Sequence, residues 1–408
     1  MPHRILALNA GSSSLKFALF DVAPALRRTV SGEIGRIGLA AQMFEVTGTT
    51  PGDSFERAAI APDHAAAAQL LLDWLDPRFG LATLTAAGHR VVRGAPFYAG
   101  PARIDAALLE RLRQFAPFDV EHMQQAIELV EAVQARCPGL PQVACFDTTF
   151  HLGLPRVATL LPIPRRYEAE GVRRYGFHGL SYQFLMRELA RLDGDAAARG
   201  RIVLAHLGNG ASLAAVRDGC PVDTSMGYTP TGGVPMSTRS GDLDPGVLWY
   251  LARTERYDAA RLNELLNSES GLLGISETAS DMRDLLEREG SDVRAAEAVA
   301  LFCYQVKKWI GAYAAALGGI DTLVFSGGIG EHAAEVRSRI CAGMGFLGIE
   351  LDAARNSHNE AVISSSHAAV KVRMMRTDEE STIARGVCAA LGLALETETE
   401  SHEPNRKN

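Results

Sequence analysis

Three turns rich in glycine and serine give this chain places where a phosphate could be held. They are Asn9-Ala10-Gly11-Ser12-Ser13-Ser14, Leu207-Gly208-Asn209-Gly210-Ala211-Ser212 and Ser326-Gly327-Gly328-Ile329-Gly330-Glu331. Each leaves backbone N–H groups open and sets hydroxyl or amide donors beside them, which suits an anion. Lys16, just past the first turn, is placed to add charge. Taken singly, the first turn reads more readily as an ordinary β-turn, and the second carries the same ambiguity. The first is not a phosphate loop, because the GxxxxGK[ST] spacing is missing, and the third lacks the dinucleotide spacing GxGxxG. The third is still the strongest nucleotide signal. It follows a buried-strand pattern, Thr322 to Phe325, where backbone has to approach a ligand closely.

Aliphatic runs must position these turns. Arg4 to Leu8 and Leu15 to Asp21 flank the first; Arg201 to His206 and Leu213 to Val216 flank the second. Strand, polar turn, strand is a hairpin, and its return half a chain later points to a duplicated domain plan. Helical periodicity covers His64 to Leu75, Ala106 to Phe115, Val120 to Val133 and Ser181 to Leu192. A strand-like run, Gln142 to Phe146, ends at Asp147 and marks the passage between halves. A helix from about Glu379 to Leu395 closes the chain, and the polar stretch Glu396 to Asn408 reads as disordered. Strands alternating with helices predict an α/β fold in two lobes.

With 408 residues, 47% hydrophobic and 7% aromatic, the chain has material for two buried cores. A net charge of −7 gives no ground for nucleic acid or an anionic membrane as partner, so an anionic substrate needs locally placed Arg and Lys. Six cysteines without a CxxC pair (Cys137, Cys145, Cys220, Cys303, Cys341, Cys388) predict reduced, buried thiols. Met1 to Phe20 lacks a signal-peptide layout, and Lys307 and Lys308 interrupt the apolar helix of about Ala295 to Leu317. The expectation is a soluble, cytoplasmic protein with no membrane span.

From Leu6 to Arg385 the chain resembles the acetate and propionate kinase family. Leu8-Asn9-Ala10-Gly11-Ser12-Ser13-Ser14-Leu15-Lys16-Phe17 fits the family's first motif and Arg174-Tyr175-Gly176-Phe177-His178-Gly179 its second. Supporting blocks follow in the family's order: Gly88 to Val92, Phe146-Asp147-Thr148, His206 to Gly210, Thr224 to Gly227, Thr238-Arg239, Asp244-Pro245 and Gly327 to Glu331. The resemblance implies two actin-like (ribonuclease H-like) βββαβαβα domains with an interdomain active-site cleft, and a homodimer. The first domain would span residues 1–148, completed by a C-terminal helix at about 380–396. The second would span 149–379, leaving 397–408 as a tail. The implied reaction is Mg²⁺-dependent (Mn²⁺ being an alternative), reversible in-line transfer of the γ-phosphoryl group of ATP to acetate, giving acetyl phosphate and ADP.

The resemblance also implies roles for named residues. A carboxylate is already a nucleophile, so catalysis has to hold two anions together and neutralise the moving phosphoryl group. Two arginine forks suit that work: Arg90 would bridge the substrate carboxylate and Arg239 the phosphoryl oxygens. His178 would donate to the same oxygens, with His206 nearby, and Asp147 would complete the catalytic group. A lone arginine is otherwise a salt bridge, and a lone histidine a core or surface residue. Glu379 and Asp147 would serve the metal, with Asn9 close by as a further ligand; Glu380 is an equal candidate, or both glutamates simply favour a helix dipole. Nucleotide would meet Ser12, Lys16, His206, Leu207, Gly208, Asn209 and Gly210. It would also meet Asp281, Met282, Arg283, Gly328, Ile329, Gly330 and His332, the last standing where the family usually has Asn.

Val92 and Pro230 match the family's residues around the acid's tail, while Phe118 stands where Leu is expected. A larger ring leaves room for a small tail and favours acetate. One methylene is worth only about 1–3 kcal/mol of discrimination, so propionate or another short-chain acid stays an alternative. Other departures are Arg93 for His, Asp119-Val120 for His-Asn, and Leu180 and Tyr182 for Thr and His; Arg93 and Asp119 are expected to pair. A reading of another class is a nucleotide-dependent conformational switch, which needs the glycine turns but no carboxylate-binding arginine.

Overall fold

Both hairpins form around their turns. Strands β1 (His3–Ala10) and β2 (Ser14–Val22) pair antiparallel, closed by Gly11 N–H donating to Ser14 O at 2.8 Å. The sheet continues through β3 (Leu26–Gly35), β4 (Met43–Gly48) and β5 (Phe55–Ala58). On the other side of β1 lie β6 (Ala86–Val91), β7 (Ala102–Arg103) and β8 (Gln142–Phe146). The order across the sheet is β5-β4-β3-β2-β1-β6-β8-β7, with β6 parallel to β1 and β8 parallel to β6. A second sheet holds β9 (Ile202–Leu207), β10 (Ala211–Arg217), β11 (Cys220–Thr224), β12 (Thr322–Ser326) and β13 (Lys371–Met374), in the order β11-β10-β9-β12-β13. Stripped of its extra edge strands, the first sheet reads β3-β2-β1-β6-β8. That is the same third-second-first-fourth-fifth arrangement, so the duplication heard in the hairpins extends to whole sheets.

This computed structural model describes residues 3–22, 25–49, 51–116 and 123–395. They fall into two units, Met1–Phe146 with Glu379–Asn408 and Asp147–Asp378. The polar stretch at 396–408 lies outside the described residues.

Central strands bury both faces: Ile5, Leu6, Ala7 and Leu8 are all inaccessible, as expected where parallel neighbours and helices cover a sheet. In the first unit a helix at His64–Phe79 starts on an Asp63 cap, whose carboxylate accepts Ala66 N–H at 2.7 Å. Trp74 of this helix meets Phe17 and Phe44 at centroid separations of 6.0 and 5.7 Å. Gly32 makes room for this packing, since a Cβ there would lie 2.8 Å from the Phe17 ring and 2.2 Å from Glu45 O.

The last helix, Glu379–Leu391, folds back onto the first unit and buries Ile383, Ala384, Val387 and Cys388. It lies so close to β6 that a Cβ on Gly88 would stand 2.5 Å from Val387 Cγ2 and 2.6 Å from Ile383 Cγ2. Gly386 returns the accommodation towards Cys145, whose Sγ would be 2.7 Å from an added Cβ.

Some expectations change. The helix predicted over Val120 to Val133 is described as Met123–Arg136, and the closing helix ends at Leu391. The cysteines are all free, but Cys220 is exposed on an edge strand and Cys137 is half-buried, so only four are buried thiols. No helix among the described residues is long and apolar enough to cross a membrane.

His89, fully buried on β6, holds Gln142 Oε1 at 2.7 Å, and burial pushes its pKa from 6.5 down to about 4. The folded chain therefore resists a proton that the unfolded chain accepts. The stability tied to His89 is whole above pH 6.5 and drains as pH falls from 6.5 towards about 4. We expect denaturant unfolding between pH 7 and 5 to show a slope containing up to ~1.4 kcal/mol per pH unit from this residue. A His89→Gln chain should lose that part of the slope; an unchanged slope would exclude the assignment.

Candidate functional site

In the first unit, β1, β6 and the head of the last helix bring Asn9, Arg90, Glu379 and Glu380 together. β1 and β6 run parallel with Leu8 opposite His89, so Asn9 and Arg90 both sit at carboxyl ends, where open α/β sheets receive ligands. Asn9 is buried, and its Nδ2 donates to Glu379 Oε2 at 2.8 Å and Glu380 Oε1 at 3.0 Å. Arg90 Nη1 donates to Asn9 Oδ1 at 3.4 Å, and its Nε stands 3.9 Å from Glu379 Oε2. A buried charge of either sign is costly alone, so each member of this chain of contacts makes the next one tolerable. The two glutamates occupy the first turn of their helix, the end that favours negative charge.

Two carboxylates offer hard oxygen donors, which fits a cation such as Mg²⁺ that keeps most of its waters. Among the described residues, no group of three or more His, Cys, Asp or Glu gathers as a metal cage. Asn9, expected as a ligand, turns its donor nitrogen to the carboxylates and so braces them in this arrangement. Lys16 is the cross-strand partner of Asn9 and is exposed, as is Ser12. Val92 is buried just past β6. Arg93 is buried with its guanidinium 5.9 Å from the Phe115 centroid. Phe118, expected at the acid's tail, and Asp119, expected to pair with Arg93, lie outside the described residues.

In the second unit, His178 takes a left-handed conformation (φ 57°) immediately before the helix Gly179–Asp193. Gly179 is required by the fully buried Asp147, whose carbonyl oxygen would lie 1.9 Å from an added Cβ. His178 stacks on His206 with centroids 4.4 Å apart. A Cβ on Gly210 would be 3.2 Å from His178 Nε2 and 3.6 Å from Arg239 Nη1, so loop, imidazole and guanidinium converge. Arg239 Nη1 also donates to Pro230 O at 3.3 Å, and Ser237 N–H donates to Asn209 O at 3.2 Å.

The third turn closes on the second. β12 is parallel to β9 with Ser326 opposite His206. Gly327 has φ 78° and would set a Cβ 2.7 Å from Leu207 O, so no other residue fits there. Predicted as an open turn, Gly327–His332 is a short helix. Glu331 Oε1 accepts from Gly327 N–H at 3.0 Å and Thr377 N–H at 3.2 Å. Gly328 N is 3.8 Å from where a Gly208 Cβ would be, Gly330 is buried and His332 is exposed.

Asp281 caps the helix Met282–Arg288 and pairs with Arg283 at 2.6 Å, which holds its carboxyl below the usual range. Met282 is buried, so its side chain serves the core. Among the described residues no hydrogen bond joins these three to the glycine turns.

Arg174 and Tyr182 were named in the sequence reading, but their supporting contacts, like those of Ser212, Ser181 and Thr377, were not foreseen. Arg174 Nη1 donates to Thr224 O, Ser225 O and Met226 O at 3.0, 3.1 and 3.0 Å, fixing the loop after β11. Ser212, Tyr182, Ser181 and Thr377 bond the two histidines or each other. Nothing in their spacing announces this, because the partners come from separate strands and helices.

Residues 4–385 match the model of the Acetokinase family. The chain belongs to the acetokinase family. It is 42% identical to the acetate kinase of Methylocella silvestris over 410 residues, 96% of this chain and 98% of that one. It is equally 42% identical to the propionate kinase of Citrobacter rodentium over 395 residues, covering 95% and 96%. Acetokinase-family structures also superpose. The Porphyromonas gingivalis acetate kinase has a TM-score of 0.82 at 34% identity, covering 95% of this chain and 100% of its own. The Francisella tularensis propionate kinase has 0.86 at 33%, covering 94% and 98%. The actin-like plan implied by the resemblance is therefore the fold, while acetate- and propionate-named relatives stand level.

Because Gly210 faces both His178 and Arg239, its replacement reports on them. Gly210→Ala should lower turnover about ten- to a hundredfold, the effect of displacing positioned groups by less than an ångström. Its melting temperature should stay near wild type. Full activity in this variant would show that the loop tolerates displacement.

Proposed function

We propose that this chain is an ATP-dependent carboxylate kinase that moves the γ-phosphoryl group of ATP to acetate, reversibly and in line. The observation that carries the reading is the acetokinase match over residues 4–385, with both expected arginines held by neighbours. Arg90, steadied by Asn9 and Glu379, grips the substrate carboxylate. Arg239 and the Nε2 edge of His178 receive charge on the phosphoryl oxygens, where fixed donors act most strongly. The backbone of Gly208 to Gly210 and of Gly328 supports the nucleotide phosphates, with Asp281 and Arg283 towards the nucleoside. Asp147, locked under Gly179, sets the start of the helix that carries His178. Glu379 and Glu380 would hold Mg²⁺, which when bound would supply neutralisation of phosphate charge.

Val92, Pro230 and Phe118 are our choices for the acid's tail, and acetate is the preferred acid. We place the enzyme in the cytosol as a homodimer. The exposed Leu243, Val247, Trp249 and Tyr250 around the helix Pro245–Thr254, none of whose residues is buried, support such pairing.

Purified protein with ATP, Mg²⁺ and acetate, propionate or butyrate should give hydroxylamine-trappable acyl phosphate, most with acetate. Arg239→Ala should keep ATP binding and lose roughly 10²–10³ in kcat, as when a transition-state donor is removed. ATP hydrolysis with no trapped product would instead establish the conformational-switch reading.

A further inference from the structure

His178 and His206 are each anchored through Nδ1 to a hydroxyl, and each of those hydroxyls is anchored to another. His178 Nδ1 lies 2.9 Å from Ser212 Oγ, which bonds Tyr182 OH. His206 Nδ1 lies 2.9 Å from Ser181 Oγ, which accepts from Thr377 Oγ1 at 2.8 Å. Hydrogens can be assigned by elimination. Tyr182 is fully inaccessible, and Ser212 Oγ is its hydroxyl's one hydrogen-bond partner among the described residues. Burial raises the phenol's pKa, so Tyr182 keeps its hydrogen and must donate it to Ser212. The Ser212 hydrogen then goes to its remaining partner, His178 Nδ1. An Nδ1 that accepts carries no proton, so a neutral ring bears its hydrogen on Nε2. The second relay repeats the order, Thr377 to Ser181 to His206. Two imidazolium rings stacked at 4.4 Å would repel, which favours neutral rings as well.

We propose that Tyr182–Ser212 and Thr377–Ser181 are tautomer locks, which hold His178 and His206 neutral with Nε2–H turned to the glycine loop. Both Nε2 atoms face that loop, at 3.2 Å and 3.9 Å from where Cβ atoms on Gly210 and Gly208 would stand. The four hydroxyl residues are positioning residues. They touch no phosphate, but they decide that each ring meets one as a hydrogen-bond donor. A His178 locked the other way would offer a lone pair to an anionic oxygen and repel it. The catalytic part of this inference rests on the proposed kinase activity; the tautomer assignment does not.

Nitrogen-15 imidazole correlation spectra of the full-length chain without substrate test it, with signals assigned by their loss in His178→Gln and His206→Gln. The wild type should show protonated Nε2 and bare Nδ1 for both rings. Tyr182→Phe keeps the volume but frees Ser212 to turn round, so the His178 signals should show mixed tautomers while His206 is unchanged. Thr377→Val should do the reverse. Turnover in Tyr182→Phe should fall about tenfold, with the KM for ATP within about twofold, a change of roughly 1.4 kcal/mol in the barrier. Ser212→Ala gives a second arm should the tyrosine variant fold poorly. Protonated Nδ1 on His178 in the wild type, or a Tyr182→Phe chain with unaltered tautomer, would overturn the proposal. Absence of acyl phosphate from the wild type would sink the kinase reading and leave the spectra decisive for the locks.

Discussion

The first cluster depends on one close approach: a helix from the far end of the chain lies against β6 because residue 88 has no side chain. Any Cβ there would strike Val387 and Ile383. With the helix seated, Glu379 and Glu380 arrive at Asn9, and Arg90 gains a partner near the carboxyl end of β6. Arginine so held loses little further freedom when it meets an oxygen pair. The charge network is thus a product of steric fit two turns down the helix. A chain with net charge −7 can attract anions only through such local order.

The second unit solves a different problem with hydrogen-bond donors. Its histidines are set by hydroxyls, its glycine turns press backbone against backbone, and Arg174 ties three carbonyls together beneath the loop after β11. These are short-range, directional constraints in a buried setting, where a hydrogen bond left unmade costs about 1–3 kcal/mol. Division of labour follows. One unit presents charge held by charge; the other presents donors held by a hydrogen-bonded frame. Charge alone attracts without orienting, so each kind of support has its own task.

Much of the scaffold was legible because apolar runs bounded by polar turns leave few choices. β8 has the limits its five residues predicted, and the hairpins differ from expectation by a residue or two. β6 was not recognised as a strand, though it carries Arg90. Ala86-Ala87-Gly88-His89-Arg90 has small and polar residues where a strand pattern wants bulk, and the reason lies in the helix from residue 379 onwards. Gly327 to His332 read as a loop because glycine is a poor helix former; contact with Leu207 required glycine there regardless. The motif residues Arg90, Arg239 and His178 were singled out by resemblance, whereas Ser212 and Thr377 were not, since hydroxyls are common and their partners distant in sequence. The glycine turns were legible as turns, whereas the approach of the third to the second follows only from the pairing of β12 with β9.

The first unit is discontinuous, and that sets an order of events during synthesis. Its sheet strands leave the ribosome before any of Asp147–Asp378, yet the helix that covers β1 and β6 comes after that whole stretch. Until then the nascent amino-terminal half has an apolar face with no cover and glutamates not yet delivered to Asn9. The second unit, whose chain is continuous, can finish first. Assembly of this protein therefore runs partly backwards, with the earliest-made strands among the last to gain their full packing, and the intervening wait is when they are most open to chaperones and to aggregation.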